Sequence, residues 1–146
     1  MKNQFMRMAI WQANEALQKG EYPAGVVIVK DGKVVGTGFP EVRRKNIAGL
    51  HGEVLAIRNA CEKLGTRKLT DCEMYTTVES CMMCAINAYH AKIGKIFFGS
   101  KLREQKKRTA EILKFMEVEN LKIEGGILEK ECDELLEKWY TEVKKD

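Results

Sequence analysis

His51, Glu53, Cys81 and Cys84 are the residues of this 146-residue chain whose types and spacing can do chemistry together. An imidazole and two thiolates at C-x-x-C spacing make a three-ligand set, the ligand count of a catalytic zinc with an open position rather than of a closed structural one. Zinc held in this way lowers the pKa of a bound water to about 7, so a nucleophile exists at neutral pH. Glu53, two residues from the imidazole, is the natural carrier of the proton that such a water gives up. The spacing restricts the geometry. Deep in a helix, residues two apart would point some ~200° away from each other, so His51 and Glu53 share a cleft only where a helix begins. Cys81 and Cys84, three apart, lie on one face of a first helical turn. Two helices aimed N-terminus first at one point favour thiolate and hydroxide, and their unpaired N–H groups form an oxyanion site. Gly52, lacking a side chain, would let a substrate carbonyl reach those groups.

The rest of the chain must hold these residues. Phe5, Met8, Ala9, Ala13, Ala16 and Leu17 share one helical face, and Gly20 stops that helix. Val26–Val29 and Val34–Val35 flank Asp31-Gly32, which predicts a tight hairpin. A long connection from Gly36 to Leu50 reads as an irregular loop framing a site. A helix follows from His51 to Gly65, a strand over Glu73–Val78, a largely apolar helix over Cys81–Ala91 and a strand over Ile93–Gly99. Leu102–Met116 reads as a polar helix, Val118–Ile123 as a last strand, and Gly125-Gly126 precede an amphipathic helix carrying Leu128, Cys132, Leu135, Leu136 and Trp139. The order α-β-β-α-β-α-β-α-β-α predicts an α/β fold in which one mixed sheet lies between helices, the last two strands parallel across a helical crossover. Neither repeats nor linkers break the chain, so residues 1–146 are expected to form a single domain.

Composition narrows the function class. With 45% hydrophobic residues and a net charge of +4, the chain can build a core, and it permits a nucleic-acid or anionic partner without demanding one. No apolar run nears the roughly 20 residues of a membrane span, and the N-terminal stretch lacks a signal-peptide pattern. An odd count of five cysteines suits a reducing compartment, so a cytoplasmic protein is expected. Cys72 raises the competing reading of a closed three-sulfur site. It begins a strand whose far end leads to Cys81, and five or six residues at ~3.3 Å each put it out of reach. Cys61 and Cys132 sit on apolar helix faces as core, and Met82 and Met83 read as packing. Trp11, Trp139 and Tyr140 read as core or subunit contacts. Arg43-Arg44-Lys45 and Lys101–Arg108 read as solvated faces, although the first run lies close enough to His51 to meet a phosphate.

The run His51-Gly52-Glu53, answered by Ser80-Cys81-Met82-Met83-Cys84, resembles the H-x-E and P-C-x-x-C signature of zinc deaminases of nucleobases. From Phe5 to Tyr140 the chain resembles the cytidine-deaminase-like superfamily, in its cytosine, guanine and tRNA-adenosine deaminase branch. The resemblance implies a three-layer α-β-α sandwich around a mixed five-stranded sheet and a homodimer or higher assembly whose neighbouring subunit closes the pocket. It also implies hydrolytic deamination, with Zn2+ on His51, Cys81 and Cys84 and Glu53 as the proton carrier. Gly52, Pro40 and Ser80 fall at positions expected to meet the substrate. His51-Gly52-Glu53 is similar to fungal cytosine deaminase, Thr77-Val78-Glu79 to the guanine and tRNA enzymes, and Ile93–Gly99 and Gly126-Ile127-Leu128 to the bacterial tRNA enzyme.

The chain also departs from that pattern. Ser80 stands for the family's Pro, Pro40 for a substrate-pinning Asn and Ile86 for a Gly, and Ser100-Lys101-Leu102-Arg103 replaces the motif expected after Gly99. The first expectation is deamination of a small aminated base of cytosine or guanine type. The alternatives are a tRNA-specific adenosine deaminase and a zinc-binding module that has lost catalysis. The intact Glu53 argues against the last.

Overall fold

Residues 1–144 are described by the structure, a computed structural model. The hairpin is where the valine runs place it. Strands β1 (Val26–Lys30) and β2 (Lys33–Gly38) pair antiparallel across Asp31 and Gly32, whose φ angles of 51° and 75° are the two positive values a tight primed turn requires. On its other side β1 pairs antiparallel with β3 (Cys72–Val78), and β3, β4 (Lys95–Ser100) and β5 (Lys122–Glu124) run parallel. The sheet order is β2-β1-β3-β4-β5, the mixed five-stranded sheet the sequence predicts.

Side chains alternate across a strand, and that alternation builds the layers. Val26, Ile28, Met74 and Ile96 face one side, against Ala56, Ile57 and Ala60 of α3 (Gly52–Leu64) and Ala88 of α4 (Met82–His90). Val27, Val29, Tyr75 and Phe97 face the other, against Phe5, Met6 and Ala9 of α1 (Lys2–Gln18) and Cys132 of α6 (Glu129–Lys138). Burying a large apolar side chain such as Met6, Ile28 or Met74, all of which are fully enclosed, contributes on the order of 1.5–3 kcal/mol each. One close approach sets where α3 begins. A Cβ on Gly38 would lie 2.6 Å from the Gly52 carbonyl oxygen and 2.8 Å from the Ala56 nitrogen, so only glycine lets β2 press against the first turn of α3.

Several elements differ from their expected form, and buried carboxylates account for two of them. The 36–50 connection contains a four-residue helix, α2 (Val42–Lys45), because the fully buried Glu21 accepts hydrogen bonds from the Arg43 and Arg44 backbone N–H groups at 3.0 and 2.8 Å. The helix expected from Leu102 starts only at Thr109 (α5, Thr109–Phe115). The buried Glu79 accepts from the backbone N–H groups of Leu102 and Thr109 at 3.0 and 2.6 Å and from the Arg108 guanidinium, holding residues 101–108 as an ordered non-helical strap. The last strand is shorter than its expected Val118–Ile123, and α6 runs on through a wider π-type turn over Trp139–Val143.

Candidate metal centre and its cleft

His51 is the residue before α3 and Cys81 the residue before α4, both in extended conformation, as their spacing requires. Neither helix carries a side-chain cap, so the first N–H groups of both are not taken up by one. The His51 Nδ1 lies 3.7 Å from Cys81 Sγ and 3.4 Å from Cys84 Sγ. A tetrahedral zinc with ordinary Zn–N and Zn–S lengths separates its nitrogen and sulfur ligands by about 3.6 Å, so the donor set fits that ion without rearrangement. Among the described residues these three form the group of donor side chains close enough to share a metal. Cys72, the sulfur that would close the site, is instead buried in the core with Ala60, Met74 and Ala88. Cys132 is core as expected on the α1 and α6 side of the sheet, and Cys61 packs partly buried against the core on the opposite, α3 side.

Electrostatics agree with a site built for a cation. Hydrogen bonding from the Cys84 thiol, then from His51, overrides burial and pulls the Cys81 thiol down to about 4. The Cys84 thiol is pushed up by giving its proton toward Cys81 and by burial. The Cys81 sulfur is also the main cause of a raised His51 pKa, against the lowering effect of burial. Glu53 has only 5% of its surface exposed. Burial raises its pKa, offset in part by its own backbone N–H and by His51.

A cleft of about 100 Å³ opens on this group, bounded by Tyr22, Pro40, His51, Glu53, Cys81 and Leu102. Of the three residues expected to meet substrate, Pro40 and Gly52 line it. Gly52 is glycine for a second reason, since a Cβ there would sit 2.9 Å from the Ala24 carbonyl oxygen and 3.1 Å from the Val26 side chain. Ser80 does not line the cleft. It is buried behind the site, where its carbonyl accepts from Thr109 Oγ1 at 2.6 Å. Ile86 is half-buried on α4 and also stands outside the cleft wall.

The Arg43–Lys45 run is committed internally rather than poised for a phosphate. Arg44 pairs with Glu21 and Glu41, Lys45 with Glu41, and Arg43 stacks 5.0 Å from the Trp139 ring. Trp139 is core, whereas Trp11 is 61% exposed. Tyr22, Glu79 and Leu102 were not legible as site residues. Glu79 had one signal, its place two before Cys81, and Tyr22 had none beyond preceding the first strand.

Comparison with known proteins agrees with this geometry. The family described as the cytidine and deoxycytidylate deaminase zinc-binding region matches residues 1–100. The tRNA-specific adenosine deaminase of Aquifex aeolicus is 36% identical over 99 residues, a match that spans 68% of this chain and 66% of that protein. A structure from a study of A-to-I editing by tRNA:A34 deaminases at the wobble position superposes with TM-score 0.82 at 31% identity, covering 91% of this chain and 99% of that one. Guanine deaminase from Bacillus subtilis superposes with TM-score 0.66 at 36% identity, covering 76% of this chain and 73% of that one.

Proposed function

The chain belongs to the cytidine and deoxycytidylate deaminase zinc-binding family and is a zinc-dependent hydrolytic deaminase, and on that premise we propose Glu53 as its proton carrier and a tRNA adenosine as its substrate. The observation that carries the chemistry is the three-donor group with a buried carboxyl beside it. Bound to His51, Cys81 and Cys84, zinc supplies a Lewis acid that makes water a nucleophile near neutral pH. Glu53 accepts one proton from the attacking water and gives it to the ring nitrogen beside the amine-bearing carbon. It then takes the second proton from that same oxygen and gives it to the amine, so that the C–N bond breaks, ammonia leaves and a carbonyl remains. A carboxyl whose burial raises its pKa suits a group that must spend part of the cycle protonated. The starts of α3 and α4, neither of which carries a side-chain cap, favour negative charge in the cleft between them.

The substrate choice takes the alternative, a tRNA adenosine, over the first expectation of a small cytosine- or guanine-type base. It is supported by the tRNA-directed relatives and by the strap 101–108, which lines the cleft through Leu102 and exposes Lys101, Lys106 and Lys107. None of these three lysines is in an ion pair among the described residues. Exposed cations on the strap that reaches the cleft through Leu102 suit the phosphates flanking an anticodon base. Pairing of Arg44 and Lys45 with acidic partners, and the small cleft, favour the second reading, a free aminated base. We also read residues 1–146 as one deaminase domain acting as a cytoplasmic homodimer; among the described residues no helix is long and apolar enough to cross a membrane.

Ammonia release from zinc-loaded protein across a tRNA anticodon stem-loop, adenine, guanine and cytosine separates the two readings. The stem-loop is expected to be turned over fastest, with apparent affinity falling steeply as salt rises. Faster turnover of a free base, without salt dependence, assigns the enzyme to the second reading.

A further inference from the structure

The cleft has one polar side chain whose work is unaccounted for. His51 and Cys81 face the metal position, Glu53 moves protons, and Glu79 is spent on Leu102, Arg108 and Thr109. Pro40 brings no polar side-chain atom and no N–H. Tyr22 remains. Its hydroxyl is buried and has no hydrogen-bond partner among the described residues, a condition shared only with the Ser80 hydroxyl, which lies outside the cleft wall.

The ring that carries this hydroxyl is held in place. Tyr22 meets Trp139 edge-on, with centroids 5.6 Å apart and planes at 85°, and the guanidinium of Arg43 stacks on Trp139 at 5.0 Å. Apolar neighbours Ala24, Val78 and Leu136 close around it. Phenylalanine would fill this space equally well and would leave no buried hydroxyl without a partner. The phenol also keeps its proton, because burial and the nearby Glu104 and Glu53 carboxylates outweigh Arg103 in raising its pKa. A rigid, protonated, unspent donor on the wall of a cleft is the arrangement by which a site reads one edge of a ligand.

We propose that the Tyr22 hydroxyl is a specificity-determining substrate contact, donating a hydrogen bond to a ring nitrogen or carbonyl oxygen of the heteroaromatic base seated in the cleft. The inference rests on the reading of this cleft as the place where the base binds. Tyr22 thereby supplies the polar anchor that Pro40 cannot, and it selects bases that carry an acceptor on the edge it faces.

The test is Tyr22→Phe in the full chain, with zinc content and melting temperature measured alongside. The variant is expected to keep stoichiometric zinc and an unchanged or higher melting temperature. Its kcat/KM, on whichever compound the wild type deaminates fastest, is expected to fall about 10- to 100-fold. Apart from the ring nitrogen that Glu53 protonates, replacing acceptor ring nitrogens of that compound one at a time by carbon should hurt the wild type at one position and add nothing to Tyr22→Phe at that position, a coupling that a merely structural role does not produce. Calorimetric titration with purine, which has no amine to lose, provides a readout independent of turnover, and its Kd should weaken tenfold or more in the variant. A wild type that binds purine but deaminates nothing would sink the substrate reading and leave Tyr22 to be judged on Kd alone. A variant within twofold of the wild type in purine Kd overturns the proposal, and so does a loss accompanied by lost zinc or a lowered melting temperature.

Discussion

Glu53→Gln is expected to lower ammonia release about 1,000-fold or more while leaving zinc stoichiometric, in the upper part of the range over which a positioned acid–base group contributes. The change is nearly isosteric, so the first turn of α3 and the His51 ligand it carries are undisturbed. What is lost is the ability to accept and return a proton. The same variant has a stability signature in the metal-free protein. Burial raises the Glu53 pKa, so the native state holds its proton more tightly than the unfolded chain. Stability of the wild type therefore falls as pH climbs from the ordinary carboxylate range through the raised folded value. The glutamine variant escapes that loss, so it should melt higher than the wild type at neutral pH, with the gap closing as pH drops into the ordinary carboxylate range. Thermal scans of both proteins across pH, with zinc assayed in each, check both halves. A variant that retained most of its activity would remove Glu53 from the mechanism.

Cys84→Ala should be nearly as damaging to turnover, by a different route. Cys84 is fully buried on the first turn of α4, and its sulfur lies 3.4 Å from the His51 ring nitrogen. Without it two donors remain, too few to hold zinc at an open catalytic site. Bound zinc is expected to fall to near zero and ammonia release to background. Because zinc binding stabilises only the folded protein, the wild type should melt well above the variant in zinc-containing buffer, and a strong chelator should close most of that gap. Cys72→Ala is the control, since that thiol lies in the core away from the ligand group. It should lose some stability through the cavity it leaves and keep its zinc. Zinc loss from Cys72→Ala with retention in Cys84→Ala would reverse the ligand assignment.

What could be read from the chain and what could not divides along the range of the interactions involved. The hairpin around Asp31-Gly32 and the helix starts at His51 and Cys81 depend on local backbone chemistry, and the structure places them as expected. The convergence of His51, Cys81 and Cys84 on one point was legible because their spacing leaves few geometries in which all three can meet. The α2 turn and the strap 101–108 were not, because each is organised by a carboxylate about twenty or more residues away, Glu21 in one case and Glu79 in the other. Propensity arguments read Lys101–Arg108 as solvated helix surface. Four groups donating to one buried side chain or its neighbours override that preference. Ser80 was placed at the substrate by its position in the motif, but its burial behind the cleft reflects packing that no motif encodes. Tyr22 escaped notice because its role depends on Trp139, more than a hundred residues later, holding the ring.

X-ray absorption at the zinc edge of the loaded protein tests the account most directly, because it counts the atoms around the metal. Two sulfur neighbours at about 2.3 Å and two nitrogen or oxygen neighbours at about 2.0–2.1 Å are expected, with one of the light neighbours exchanging when an inhibitor occupies the cleft. Three or four sulfurs, or a light shell indifferent to any cleft ligand, would mean a closed structural zinc and contradict the deaminase centre.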